Sequence, residues 1–380
     1  MVYIPQKQID HLSKLLKPGK VIIVYGARRV GKTTLVNRFL SDLPKTSERI
    51  LFVNGDDLIV RQYLESQSIN KLRDFVGNHT LLVIDEAQYV RKIGLNLKLI
   101  VDHIPNIKII ATGSSSFSLA QDVGEPLTGR KFTLRLYPLA QMELAQIENI
   151  HELEANLEAR LIYGCYPEVI TSNDNTGRIE YLREMVSSYL FKDILELEGI
   201  RHSQKLVRLL QLLAFQIGKE ASFNELGSHL GMSKNTVEKY IDLLEKVFII
   251  YSRSGFSRNL RKEVTKNHRY YFIDNGIRNA LIGNFNPLEM RNDSGELWEN
   301  YIISERLKAN EYDQRLVNNY FWRTYDRKEI DLVEERQGKL FGYEIKWKKA
   351  MVRVPRDWKK AYPDAEFQVI HRQNYLNFIQ

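Results

Sequence analysis

The chain has 380 residues, 43% hydrophobic and 27% charged, with a formal net charge of +8 and one cysteine, Cys165. That length exceeds the roughly 250–300 residues at which a single core stops growing, so two or three domains are expected. The lone cysteine excludes an internal disulfide framework and a cysteine-based zinc site. No apolar stretch approaches the roughly 18 residues of a membrane helix, and Met1 to Lys7 lacks the apolar core of a signal peptide. A cytoplasmic protein without a membrane partner is expected, and its positive charge favours a polyanionic partner without establishing one.

In chain order, Val21-Ile22-Ile23-Val24-Tyr25 predicts a buried parallel strand, and Thr34 to Leu40 carries apolar residues at helical spacing. Between them lies Gly26-Ala27-Arg28-Arg29-Val30-Gly31-Lys32-Thr33, a full Walker A pattern in the strand–loop–helix context that it needs. The glycines let the backbone wrap phosphates, so that amide N–H groups and the helix N-terminus face the negative charge. Lys32 is expected to reach the β and γ phosphates and Thr33 to ligand Mg²⁺, with Gly26 to Thr34 forming the ATP-binding segment. A chance glycine-rich turn is the alternative, and the flanking strand and helix argue against it.

Arg49 to Asn54 predicts a second strand, and Thr80 to Glu86 an apolar strand ending in two carboxylates, the Walker B pattern. Asp85 would hold Mg²⁺ and Glu86 would polarise the attacking water; a strand end points such groups at the crevice where phosphates lie. This Asp-Glu pair separates hydrolases from small-molecule kinases, which need no carboxylate to activate water. Ile107 to Ser115 resembles the polar-tipped strand called sensor 1 in AAA-type ATPases, with Ser114 the leading candidate and Thr112 and Ser115 close behind. Arg130, on the turn Leu127-Thr128-Gly129-Arg130, is a candidate arginine finger acting in its own chain or a neighbour's, an ordinary surface arginine being the alternative.

The motif series Gly26 to Thr33, Leu82 to Gln88 (LVIDEAQ), Thr112 to Ser115, Leu127 to Arg130 and Tyr163-Gly164-Cys165-Tyr166-Pro167-Glu168 resembles bacterial and archaeal AAA-type ATPases with a C-terminal domain of unknown function. The last motif is similar to a Gly-Gly-Tyr-Pro-Glu signature in which Cys165 displaces a small residue. The resemblance implies ATP binding and slow hydrolysis, and no agreed substrate.

Beyond the core, Ala140 to Ile150 and Arg178 to Leu195 read as helices of a lid and connector. Gln204 to Gly218 predicts a helix, Ser222 caps a second with Glu225 three residues on, and Ser233 caps a third, Lys234 to Lys246. Helix, glycine turn and helix followed by the strand-like Phe248 to Tyr251 give a winged helix-turn-helix layout. Lys234, Asn235, Thr236, Lys239 and Tyr240 would face a DNA groove, and Arg258, Arg261 and Lys262 of the basic wing would meet phosphates. Glu238, Asp242 and Glu245 on the same helix weaken that reading, since such modules also serve as packing or oligomer units.

A long helix from Gly295 past Glu299, then strands at Asn319 to Thr324, Glu329 to Val333 and Leu340 to Trp347, looks like the restriction-endonuclease-type core, PD-(D/E)XK in motif language. Glu299, Asp331, Glu344 and the Ile345 carbonyl would gather round Mg²⁺, and Lys346 would orient water. A second basic run, Lys346 to Lys360, would hold a phosphodiester backbone.

The expected architecture is α/β: a P-loop parallel-sheet ATPase core (1–140), helical lid (141–202), winged helix (203–275) and restriction-endonuclease-like domain (276–380). The expected activity is Mg-dependent ATP hydrolysis by a DNA-associated protein with a nuclease-like domain. The alternative is an ATP-dependent switch or scaffold that docks a protein partner without cleaving nucleic acid. Homo-oligomerisation is compatible with either.

Overall fold

The computed structural model describes residues 3–44, 48–114, 127–190, 203–257, 268–324 and 328–380. Five strands carry the N-terminal half: β1 (Lys20–Tyr25), β2 (Ile50–Asn54), β3 (Leu81–Asp85), β4 (Lys108–Gly113) and β5 (Lys131–Arg135). They form one parallel sheet in the order β2-β3-β4-β1-β5. β1, β3 and β4 are apolar almost throughout and buried, as strands covered on both faces must be, whereas the edge strand β2 is only partly covered. The core closes with Leu72, Val76, Leu97 and Ile100 from helices Ile69–Val76 and Ile93–His103. Pro5–Pro138 forms a compact unit together with Lys246–Phe248, whose Phe248 packs edge-on against Tyr137.

The second compact unit comprises Met1–Ile4, Leu139–Glu245 and Ile249–Gln380. Helices Ser203–Phe215, Phe223–Leu230 and Lys234–Lys246 accompany a small antiparallel sheet, order β6-β8-β7, of β6 (Glu220–Ala221), β7 (Ile250–Ser254) and β8 (His268–Phe272). Ser222 accepts from the Glu225 N–H at 3.1 Å and Ser233 from the Thr236 N–H at 3.1 Å, so both serines cap helices. A four-stranded sheet, order β12-β11-β10-β9, contains β9 (Asn318–Arg323), β10 (Glu329–Arg336), β11 (Lys339–Ile345) and β12 (Glu366–Ile370). β9, β10 and β11 are antiparallel neighbours and β12 runs parallel to β11. The Phe256 N–H donates to the Phe321 carbonyl at 2.6 Å, which ties the small sheet's end to β9.

The helix expected over 140–150 is instead two. Gln141–Leu144 stops, and Asn149 starts Ile150–Ala155 by accepting from the His151 and Glu152 N–H groups while Glu152 reaches back to the Asn149 N–H. This segment shares one apolar cluster with the C-terminal elements: Leu139, Leu161, Trp298, Tyr301, Tyr343, Ile370 and Phe378 pack together. The 19-residue helix Ser294–Tyr312 runs through that cluster. No helix among the described residues is long and apolar enough to cross a membrane.

Near that helix's start, Asp293 lies between Arg278 and Arg291. Partial burial opposes its charge, but hydrogen bonds from Arg291 and Arg278 win and hold it down to about 2 from the ordinary 3.8. A carboxyl that is the stronger acid when folded stabilises fully above the unfolded value, and that stability drains away as pH falls through the folded value. The contribution above pH 4 is therefore about 2 kcal/mol. Urea unfolding of Asp293→Asn at pH 7 is expected to show a loss of about that size. Its stability should also vary less than wild type's between pH 4 and pH 2.

Candidate functional site

Two sites emerge, one in each unit. In the first, the loop after β1 is shaped by its glycines. A Cβ at Gly26 would stand 2.2 Å from the Leu136 carbonyl oxygen, and Gly31 holds φ +96° just before helix Lys32–Asp42. The helix N-terminus consequently opens at the carboxyl end of the sheet, where backbone N–H groups and the helix dipole favour an anion. Lys32, 5% exposed, donates to the Gly26 and Ala27 carbonyls at 3.0 and 2.9 Å. Val30 is buried, whereas Arg29 and Thr34 are exposed; Arg28 reaches the Tyr89 hydroxyl at 3.4 Å.

Thr33 donates to both Asp85 oxygens, at 3.1 and 2.9 Å. Asp85 also accepts from the Thr112 hydroxyl, and that same oxygen receives the Glu86 N–H at 3.0 Å. Neighbouring strands thus lock the Walker B end: β4 supplies Thr112, and the first helical turn supplies Thr33. Glu86, just past the carboxyl end of β3, sits at φ 52°, an uncommon backbone position for a side-chain-bearing residue. Ser114 is buried at the end of β4, where its backbone N–H donates to the Gln88 side chain at 3.3 Å. On β4 the hydroxyl of Thr112 bonds the Asp85 carboxylate, and Ser114 follows two residues on. Ser115 lies outside the described residues.

Gln88 carried no role in the sequence reading. Its amide bridges the Glu86 carboxylate and the Ser114 backbone, so it fixes where Glu86 points. A DExQ spacing after an apolar strand is the local signal that would have found it.

Arg130 is placed elsewhere. Its carbonyl accepts from the Val21 N–H at the amino end of β1, about one strand length, roughly 16 Å, from the loop. Its guanidinium pairs with Asp102 at 2.6 Å. That position keeps Arg130 off its own chain's phosphate loop.

The second site is a cleft of about 520 Å³, lined among others by Arg269, Glu299, Glu329, Asp331 and Lys346. Helix Ser294–Tyr312 supplies Glu299, β10 supplies Asp331, and β11 supplies Glu344 with Lys346 following it. Lys346 Nζ stands 2.7 Å from Glu344 and 3.8 Å from Asp331. Asp331 accepts from the Ile345 N–H at 2.8 Å, so the backbone turns an N–H, not its carbonyl, toward that carboxylate. Tyr271 donates to Glu299 at 2.8 Å.

Burial, together with the charge of Asp331, pushes Glu299 up to about 8. Burial also raises Asp331, with Lys346 opposing, and raises Glu344, where the Asp331 charge adds to it. Burial would lower Lys346, but Asp331 and Glu344 outweigh it and hold the ammonium protonated. The four residues named from sequence therefore come together. A divalent cation, however, does not fit them as arranged. Among the described residues no group of three or more His, Cys, Asp or Glu is placed to hold a metal ion, and Arg269 from β8 stands 3.9 Å from Asp331 and bonds Glu329.

On helix Lys234–Lys246, Lys234, Asn235 and Lys239 are exposed and Thr236 is partly covered. Tyr240 is buried with Val237, Ile241 and Leu244, which removes it from the outward face expected of it. Arg258, Arg261 and Lys262 lie outside the described residues.

Residues 18–145 match the family described as AAA domain, and residues 294–375 match Domain of unknown function (DUF4143). Residues 154–288 match a further domain of unknown function. The chain therefore carries an AAA-type P-loop ATPase domain followed by a C-terminal domain of that second family. An uncharacterized protein of Haemophilus influenzae is 25% identical over 281 residues, 69% of each chain. One of Mycobacterium tuberculosis is 24% identical over 362 residues, 93% of this chain and 76% of its own. Among solved structures, replication initiator DnaA bound to AMPPCP and single-stranded DNA aligns at TM-score 0.33 and 15% identity, over 64% of this chain and 90% of its own. Drosophila ORC bound to DNA aligns at 0.25 and 15%, over 73% and 94%.

If Gln88 positions Glu86, Gln88→Ala is expected to lower steady-state ATP turnover by about ten-fold or more while nucleotide affinity changes little. Turnover assays and fluorescent-nucleotide titration separate the two effects.

Proposed function

We propose that this protein is a Mg-dependent ATP hydrolase of AAA type that works in association with DNA. The observation that carries the first half is the chain Thr33–Asp85–Thr112 beside Lys32 at the carboxyl ends of parallel strands. Thr33 and Asp85 are hard oxygen donors within hydrogen-bond distance of each other, which suits a small divalent cation completed by phosphate oxygens and water. The fit holds for ATP and Mg²⁺, and the cation would neutralise charge on the transferring phosphoryl group. Lys32, on two loop carbonyls in this structure, would turn to the β and γ phosphates of bound ATP. Asp85 and Thr33 would hold the cation, and Glu86, steered by Gln88, would polarise the attacking water. Arg130 serves this reading only across an interface between copies of the chain.

The DNA half is read from fold and charge. Three helices with an antiparallel β6-β8-β7 sheet read as a winged helix-turn-helix, whose third helix exposes Lys234, Asn235 and Lys239. The four-stranded sheet with helix Ser294–Tyr312 reads as restriction-endonuclease-like. Its cleft is continuous in sequence with an exposed basic run, Lys348, Lys349, Arg353 and Arg356, suited to a phosphodiester backbone. Because no carboxylate group among the described residues is placed to hold a cation, backbone binding is favoured over cleavage. The exposed Glu238 and Asp242 on the third helix favour a second reading, a nucleotide switch that docks a protein partner. A cytoplasmic location accords with either.

Lys32→Ala and Glu86→Gln are each expected to cut ATP turnover on the order of 10²-fold or more, and unaltered hydrolysis by either would remove the assignment. Neutralising Arg258, Arg261 and Lys262 together should weaken duplex DNA binding. The slope of log affinity against log salt should fall by about 0.9 per lost contact. No binding by wild type at low salt would leave the switch reading.

A further inference from the structure

Arg269 occupies an unusual place for a basic side chain on a small sheet. It lies on β8 and is only 4% exposed. Its guanidinium carbon stands 4.6 Å from the centre of the Phe321 ring, which gives the cation an aromatic floor. One nitrogen bonds Glu329 and another faces Asp331 at 3.9 Å, while its Nε has no hydrogen-bond partner among the described residues. Two residues on, Tyr271 fixes Glu299 at 2.8 Å, so a single strand delivers both the cation and the tether of the helix carboxylate. Across the sheet, Arg269 is in register with Glu220 on one side and Arg253 on the other. Like charges opposite each other repel, and Glu220 is taken by Arg323 at 2.7 Å, so Arg269 is balanced by Glu329 and Asp331 instead.

Three elements converge here: Asp331 and the half-buried Glu299 line the cleft, and the buried Glu344 lies beside them, joined to Asp331 through Lys346. Convergent carboxylates withdrawn from water repel one another unless a cation balances them. Lys346 balances the Glu344 side at 2.7 Å, and Arg269 balances the Asp331 side. A guanidinium held by packing against Phe321 and by Glu329 and Asp331 competes directly with a divalent ion for the Asp331 carboxylate.

We propose that Arg269 is a resident counter-ion that takes the divalent-cation place of the C-terminal cleft, and that its removal uncovers a cation site formed by Glu299, Asp331 and Glu344. The inference rests on reading this cleft as restriction-endonuclease-like, and it makes the cleft of the unaltered protein closed to Mg²⁺ and Mn²⁺. Arg269 is a positioning residue for the carboxylates, holding them apart in a metal-free arrangement.

The test is Mn²⁺ binding to the full chain without nucleotide, followed by the electron paramagnetic resonance of free Mn²⁺, in an Asp85→Asn background that silences the phosphate site. Without a further change, adding Asp331→Asn should leave Mn²⁺ binding as it was. Arg269→Gln is expected to gain a site at least about ten-fold tighter, which Asp331→Asn then abolishes. Arg269→Lys, which keeps the charge, should stay at the starting level. Thermal melts show which variants are folded. If the protein with Arg269 intact binds Mn²⁺ in a way that Asp331→Asn removes, the proposal is overturned, and this comparison stands even if Arg269→Gln does not fold. A folded Arg269→Gln that gains no site overturns it equally. DNA affinity of Lys346→Ala and of the unaltered chain, measured at low salt, tests the backbone-binding reading separately.

Discussion

A helix buried over most of its surface constrains the C-terminal unit. Ser294–Tyr312 takes Asn300, Glu305, Arg306, Lys308 and Asn310 into the interior alongside Trp298, Ile302 and Ile303. A buried charge left without a partner costs several kcal/mol, so each of these groups dictates what must lie beside it. Arg306 takes Glu334 of β10 with two bonds of 2.7 Å, and Asn310 adds a third at 2.9 Å. Lys308 pairs with Glu305 at 2.6 Å, and Glu305 accepts the Gln141 N–H at 2.6 Å. Asn300 both accepts from and donates to the Phe272 backbone at the end of β8. The helix therefore fixes the large sheet, the segment after Leu139 and the small sheet through three sets of polar contacts.

The carboxylate cleft is a by-product of that arrangement. Glu299 precedes Asn300, so the residue that clamps β8 also brings Glu299 to Tyr271. Asp331 lies on the same strand as Glu334, three residues earlier, where the β9–β10 pairing shifts register. Position in the cleft thus follows from contacts made a few residues away, and the electrostatics of the cleft follow from position. Glu299 is driven toward its neutral form by burial and by Asp331, while Lys346 and Arg269 keep the remaining charges balanced.

The phosphate site obeys a different logic. Its parts are contributed by loop, helix and two adjacent strands, and each part is recognisable where it stands in the chain. Strand order supplies what the motifs lack. With β4 between β1 and β3, Thr112 is set against Asp85, and the Thr33–Asp85–Thr112 chain closes. Gly26 and Gly31 are glycines for separate reasons, a carbonyl pressed against one and a positive φ at the other.

By itself the sequence determined the parallel α/β core, the glycine loop between β1 and its helix, Asp85 and Glu86 at the end of β3, the serine caps at Ser222 and Ser233, and the existence of β9, β10 and β11. These depend on local periodicity, glycine placement and capping, which act within a few residues and leave a mark in the chain. It also named Glu299, Asp331, Glu344 and Lys346 as a set, since alternation along a strand aims Glu344 and Lys346 to one face. Only the tertiary structure decided that Arg130 lies at the far end of its sheet, that Tyr240 is core, that Gln88 holds Glu86, and that Arg269 stands among the carboxylates. Each of these depends on which distant strand or helix lies alongside. Arg269 and Asp331 are 62 positions apart in the chain, and nothing in the residues around either one encodes the other. Their meeting is fixed by how helix Ser294–Tyr312 satisfies its own buried polar groups.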